Sequence, residues 1–303
     1  MRARQPPALR PGDRIGIVAP GGPVRRPAID RGIAWLRDRG FEPVPGATLA
    51  LRHGYLAGED RDRARDLRRM LADPAIAAIW FARGGYGSGR IVAESDFRPL
   101  RRHPKALIGY SDITVLQVAA WIQAGVVTFH GPLVGELGDP AAFDETSLWR
   151  AVGPEGSGRI EFAFSRDQVA RPGRAEGVLL GGCLSLIASL VGTPHLFRTA
   201  GAILFWEDVN EEPFRIDRML NHLRLAGLLE GIRGMVVARL AGCTAADPEN
   251  GLPIREILDR HLGKRRIPVI VDFPAGHCPG KVTLPLGRFA GLDTRTGRLT
   301  ILD

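Results

Sequence analysis

Short apolar runs alternate along this chain with stretches whose apolar positions recur every three or four residues, a pattern that predicts strands followed by helices. Residues 14–20 read as a strand, and 28–39 place Ile29, Ile33 and Leu36 on one helical face before a second strand begins over 40–44. Residues 60–71 read as a polar helix with an apolar edge at Ala64, Leu67 and Leu71, residues 75–82 as an apolar strand, and a helix is expected from Ile91. A buried strand over 106–108, a helix over 113–122 and a strand with its loop over 126–133 follow. In the second half, 177–190 read as a buried strand or turn entering a helix, 201–208, 232–240 and 267–272 as strands, 211–223 and 254–262 as helices, and 282–286 and 289–302 as short strands with turns. Strands alternating with helices imply an α/β fold with a mainly parallel sheet covered on both faces, whose ligands bind beside the strands' C-terminal ends. Gly153, Pro154, Gly156, Gly158 and Arg171-Pro172-Gly173-Arg174 break the pattern. They predict a boundary between a domain over 1–155 and a domain over 175–303, joined by a linker over 156–174.

Composition narrows the function classes. A chain of 303 residues with 45% hydrophobic and 24% charged residues is an ordinary globular protein, long enough for two domains. The excess of 41 Lys+Arg over 33 Asp+Glu leaves +8, but Asp60, Asp62 and Asp66 interleave with the arginines of 61–69. That is the signature of a solvated helix face, so no nucleic-acid partner is expected. Cys183, Cys243 and Cys278 are odd in number, far apart and without a C-x-x-C pair, which points to reduced thiols in a cytoplasm and to neither a disulfide framework nor a zinc site. Residues 1–14 lack the apolar core of a signal peptide, and the longest apolar tract, 178–191, is too short and too broken by Gly and Ser to span a bilayer. A soluble protein without a membrane partner is the expectation.

The candidate chemistry centres on Lys105 to Gln117. Gly109-Tyr110-Ser111-Asp112 must turn the chain sharply from the strand into the helix, which lifts Ser111 clear of the sheet edge beside the first helical amides. Such a serine suits an acyl-transfer nucleophile. Equally, Ser111 or Asp112 would serve as an ordinary helix cap, and the second glycine of a G-x-S-x-G elbow is missing. The loop Gly84-Gly85-Tyr86-Gly87-Ser88-Gly89 fits neither a dinucleotide fingerprint nor a P-loop; its glycines allow a phosphate cradle, an oxyanion site or a tight turn. The strand over 201–208 ends in Glu207 and Asp208, which point to opposite sides of an extended chain. Glu211 and Glu212 suit a helix N-terminus. His277 lies between rigid neighbours in Phe273-Pro274-Ala275-Gly276-His277-Cys278-Pro279-Gly280. The order Ser111, Glu207, His277 is that of Ser-Asp/Glu-His hydrolases. His53 and His130 read as ordinary loop or core histidines, with His130 placed to line a pocket, and Cys278 reads as a packed thiol.

Longer motifs carry a stronger signal. Gly12-Asp13 with Val18-Ala19-Pro20, Ala82-Arg83-Gly84-Gly85-Tyr86-Gly87, Ile108-Gly109-Tyr110-Ser111-Asp112-Ile113-Thr114 and Phe129-His130-Gly131-Pro132 occur in the first half. Glu207-Asp208 followed by Ile216-Asp217-Arg218, and Gly276-His277 before Leu284-Pro285-Leu286-Gly287, occur in the second. Together, in order and over nearly the whole chain, they resemble the LD-carboxypeptidase family of serine peptidases. The resemblance implies an N-terminal flavodoxin-like domain carrying the nucleophile and a smaller C-terminal β-rich domain carrying the acid and base. It implies Ser111 as nucleophile, His277 as general base, Glu207 as its orienter, and an oxyanion hole of amides from Asp112 and the Gly84-Gly85 turn. No cofactor or metal is called for. The expected activity is release of the terminal D-alanine from a murein tetrapeptide in cytoplasmic cell-wall recycling, with Arg83 as candidate for the substrate's carboxylate and a homodimer as the expected assembly. Alternatives are a microcin-immunity-type peptidase acting on a peptidyl-nucleotide analogue, an esterase, and a non-catalytic α/β protein whose glycine loop holds an anion.

Overall fold

In the first sheet five strands run parallel in the order β2-β1-β3-β4-β5: β1 (Arg14–Val18), β2 (Glu42–Pro45), β3 (Ile76–Phe81), β4 (Ala106–Gly109) and β5 (Thr128–His130). A late strand, β12 (Leu284–Leu286), pairs antiparallel with β5. The central strands are near-continuous apolar runs because helices cover both faces of a parallel sheet: Ile79, Trp80 and Phe81 of β3 and all of β4 are buried. Helix α1 (Arg26–Asp38) buries Ile29, Ile33 and Leu36, and α2 (Asp60–Ala72) buries Leu67, Met70 and Leu71. Where the sequence predicts a helix from Ile91, there is one turn, α3 (Ser88–Ile91), and a 3₁₀ turn. There the Ser95 amide and hydroxyl fold back onto the carbonyls of Val92 and Ile91. Helix α4 (Thr114–Ala124) is largely buried and α5 (Glu145–Val152) is amphipathic. The strand order is the flavodoxin-like one, and it reverses between β1 and β3, so the loops after those strands flank the crevice where such sheets bind ligands.

This computed structural model describes residues 3–247, 249 and 251–302. Met1, Arg2 and Asp303, the outermost residues of the two expected domains, lie outside the described residues. The chain divides into two units, one reaching to Ser157 and including Pro279–Gly287, the other formed by Gly158–Cys278 and the segment from Arg288.

The second unit holds an eight-stranded sheet in the order β6-β14-β13-β8-β9-β10-β11-β7. Its centre, β8 (Arg174–Cys183), β9 (Ala202–Val209), β10 (Gly234–Ala241) and β11 (Val269–Phe273), is parallel. Helices α6 (Leu184–Ser189), α7 (Pro213–Leu225) and α8 (Ile254–Leu262) lie in the connections between these strands. Antiparallel strands extend both edges: β7 (Val169–Arg171) on one side, and β13 (Phe289–Asp293), β14 (Arg298–Ile301) and β6 (Ile160–Ala163) on the other. Residues 156–174, expected as a linker, thus carry two edge strands. Ile160 and Phe162 are buried and alternate with exposed Glu161 and Ala163, a strand signal of period two set among glycines.

Candidate active site

Three loops at the C-terminal edge of the first sheet meet around Ser111. After β4, Tyr110 and Ile113 occupy the cap positions of the short helical turn and of α4, and neither makes a side-chain cap bond. Ser111 itself takes φ 66°. A helix cap has extended backbone, so the capping role open to Ser111 in the sequence is not the one it plays. A non-glycine residue in left-handed conformation costs about 1–3 kcal/mol and clusters at functional sites. Gln117, buried in α4, donates to the carbonyls of Gly109 and Phe129, both at 2.9 Å, and so fixes the strand ends beside the turn.

Gly84 lies against the nucleophile candidate. A Cβ there would stand 3.0 Å from Ser111 Cβ and 3.1 Å from its Oγ, so no larger residue fits without displacing the serine. The Gly22 amide donates to the Gly84 carbonyl at 3.1 Å, which ties the loop after β1 to the loop after β3. Asp112, buried, does not cap its helix either: its Oδ2 accepts from the Ser88 amide at 2.9 Å. Burial pushes its carboxyl above the ordinary carboxylate range, opposed by bonds from Ser88 and Gly87 and by the charge of Arg63.

Arg63, which the sequence alone did not single out, braces the loops beside the site. It is fully buried in α2, where Nη1 donates to the carbonyls of Pro20 and of Gly87, the latter at 2.8 Å, and Nη2 donates to Asp60. One guanidinium therefore ties the loop after β1 to the glycine loop. The run 61–69 is not uniformly a solvated face: Arg63 and Asp66 are buried, and Asp66 accepts from Thr48. Helical spacing held the signal, since Arg63 falls in register with Leu67, Met70 and Leu71. Replacing Arg63 with Met strips both carbonyls and Asp60 of a charged donor. Stability should fall by about 1.5–3 kcal/mol, the range for hydrogen bonds to charged groups, seen as a lower urea midpoint at unchanged slope. A loss below about 0.5 kcal/mol, ordinary for a surface substitution, would show that this guanidinium does not hold the loops.

In the second unit Trp206-Glu207-Asp208 stand near the end of β9, before Val209, and the two acids diverge as extended backbone requires. Glu207, with 0% exposure, sets Oε2 2.6 Å from His277 Nδ1 and 3.3 Å from the His277 amide. A carboxylate only accepts, so this contact suits a proton on Nδ1, and in the neutral ring Nε2 is then the nitrogen that can accept one. Gly276, at φ 82°, makes this approach: a Cβ there would lie 2.4 Å from Glu207 Oε2. Asp208 instead accepts from the Ser185 amide at 2.8 Å and from the Val209 amide at 2.9 Å, which anchors the start of α6; burial raises its pKa. Glu211 makes a surface pair with Arg215.

The remaining candidates sort simply. Arg83 Nη1 donates to the Pro23 carbonyl at 2.8 Å, and its guanidinium packs on Gly22 and Gly85. His130 is buried in β5 with its ring 5.7 Å from that of Tyr110. Cys278 is buried, and its thiol faces the Ala275 carbonyl at 3.5 Å. Among the described residues no group of three or more His, Cys, Asp or Glu is placed to hold a metal, and no helix is long and apolar enough to cross a membrane.

Comparison with known proteins bears on both units. The family model for the LD-carboxypeptidase N-terminal domain matches residues 15–131, and that for the LD-carboxypeptidase C-terminal domain matches 176–292. A probable murein peptide carboxypeptidase of Bacillus subtilis is 37% identical over 294 residues, 96% of this chain and 92% of that one. The crystal structure of a muramoyltetrapeptide carboxypeptidase from Oxalobacter formigenes is similar at TM-score 0.85 and 32% identity, covering 96% of this chain and 99% of that one. The microcin C7 self-immunity protein MccF of Escherichia coli is 25% identical over 331 residues, 97% of this chain and 94% of its own. A wild-type MccF structure shares the fold at TM-score 0.90 and 23% identity over 98% of both chains.

Proposed function

Because the chain belongs to the LD-carboxypeptidase family, we propose that it hydrolyses an L,D-amide bond and releases the terminal D-alanine of a murein tetrapeptide, in the cytoplasm, by a Ser111-His277-Glu207 triad. In this reading the Ser111 hydroxyl attacks the scissile carbonyl while His277 Nε2 takes its proton. The oxyanion that forms is met by amides of Asp112 and of the Gly84-Gly85 turn. His277 then gives the proton to the departing amine of D-alanine, and water, activated by the same imidazole, hydrolyses the acyl-enzyme. Glu207 holds the imidazole in the required tautomer and stabilises it when charged.

The observation that carries this reading is the left-handed backbone of Ser111 at a strand-to-helix turn, pressed against Gly84. A binding protein needs no such strain at a serine. The test is mass spectrometry of products from a defined tetrapeptide. Loss of one D-alanine is the expected result; preferential cleavage of a peptidyl-nucleotide analogue would favour the microcin-immunity reading, and turnover of simple esters without D-preference an esterase.

A further inference from the structure

A cavity of about 620 Å³ opens beside the glycine turn, and its lining includes Gly22, Arg52, Tyr55, Arg83, Gly85 and Tyr86. Two guanidinium groups face it and no acid lines it. The acids on the neighbouring surface are already engaged: Glu59 pairs with Arg61 at 3.1 Å, and Asp60 binds both Arg63 and Arg90. Among the described residues no carboxylate lies within ion-pair distance of Arg52 or Arg83. The bond from Arg83 Nη1 to the Pro23 carbonyl fixes that guanidinium plane and leaves its other N–H groups for a ligand. Its Nη2 lies 3.4 Å from the place a Gly85 Cβ would take, and Gly84, one residue before, touches Ser111. A cation is thus fixed on the residue next to Gly84, the glycine that lies against the serine. Tyr55 and Tyr86, 67% and 56% exposed, stand with ring centroids 5.8 Å apart, an aromatic wall in contact with water.

We propose that this cavity is the subsite for the free α-carboxylate of the substrate's terminal residue, held between Arg83 and Arg52, with the tyrosine pair covering its aliphatic part. The inference rests on the hydrolase reading above and adds what restricts it to chain ends. An amide-bond hydrolase acts as a carboxypeptidase when a cation waits where only a terminal residue puts a negative charge. Paired guanidiniums suit a carboxylate because their planar N–H groups match its two oxygens.

The test compares a tetrapeptide ending in D-alanine with the same peptide ending in D-alaninamide, for wild type, Arg83→Gln and Arg52→Gln. Wild type should prefer the free acid. Each Gln variant should raise KM for the acid by about 10- to 100-fold, as the loss of a charged hydrogen bond implies, with kcat changed much less and the amide nearly unaffected, so the preference collapses. Arg83→Lys should keep part of it, since the charge remains and the fork is lost. D-alanine release that continues with the acid preference intact in both Gln variants would overturn the subsite and leave the hydrolase reading standing. So would variants that lose instead a preference for a diamino acid bearing its own carboxylate. No release by wild type from the acid peptide would sink the hydrolase reading, and the subsite with it.

Discussion

Replacing Ser111 with alanine is expected to abolish turnover of the tetrapeptide, by about 10⁶-fold in kcat, the loss seen when a serine hydrolase loses its nucleophile. The residual rate should be what oriented binding and the oxyanion donors supply without covalent chemistry. Alanine fits the site, because it keeps the Cβ that Gly84, lacking one of its own, leaves room for, and only removes the hydroxyl. It retains the strained backbone, so the thermal midpoint should stay close to that of wild type while activity disappears. Labelling by a serine-directed fluorophosphonate should vanish with it. A variant that keeps more than about one part in a hundred of the wild-type rate would mean that a group other than Ser111 attacks, since covalent serine mechanisms lose far more.

Glu207→Gln should lower kcat by about 10⁴-fold, as removal of the carboxylate that orients a triad histidine does elsewhere. The two side chains have nearly the same shape, so packing in the 0% exposed site survives. The change lies in the proton inventory. Where Glu207 Oε2 accepts from His277 Nδ1 at 2.6 Å, a Gln amide that turns its NH₂ inward asks Nδ1 to accept, which moves the ring proton to Nε2, the atom that must receive the serine's. KM should change little, because Glu207 is fully buried and so is closed to direct contact with a substrate. The control is Asp208→Asn: Asp208 anchors α6 through Ser185, and its variant should affect stability more than rate. If Glu207→Gln stays within about tenfold of wild type, the carboxylate supplies too little transition-state stabilisation to be the orienter, a factor of ten being worth only about 1.4 kcal/mol.

Much of the first sheet was legible because its strands are apolar runs between helices of clear period. Residues 14–18, 76–81 and 106–109 needed only hydrophobicity to be found, and the helix of 254–262 has the bounds its spacing predicts. The divergence of Glu207 and Asp208 also followed from extended backbone alone. Edge strands were harder. Ile160–Ala163 is four residues among glycines, and a short strand is stabilised by a partner, here β14, that lies far along the chain. The return of Leu284–Leu286 to the first sheet has the same cause: three apolar residues do not say which open edge they will complete.

What the sequence alone determined is the kind of most segments and, through its motifs, the family, because backbone period and side-chain type are local properties. Tertiary structure decided who meets whom. Arg63 looks like one arginine among many until the fold brings the Pro20 and Gly87 carbonyls, 43 and 24 residues away, to its guanidinium, and Gly276 looks like any loop glycine until Glu207 occupies the space of its missing Cβ. Burial is what turns such residues from solvated surface into fixed geometry, since a charge removed from water must find its partners within the protein.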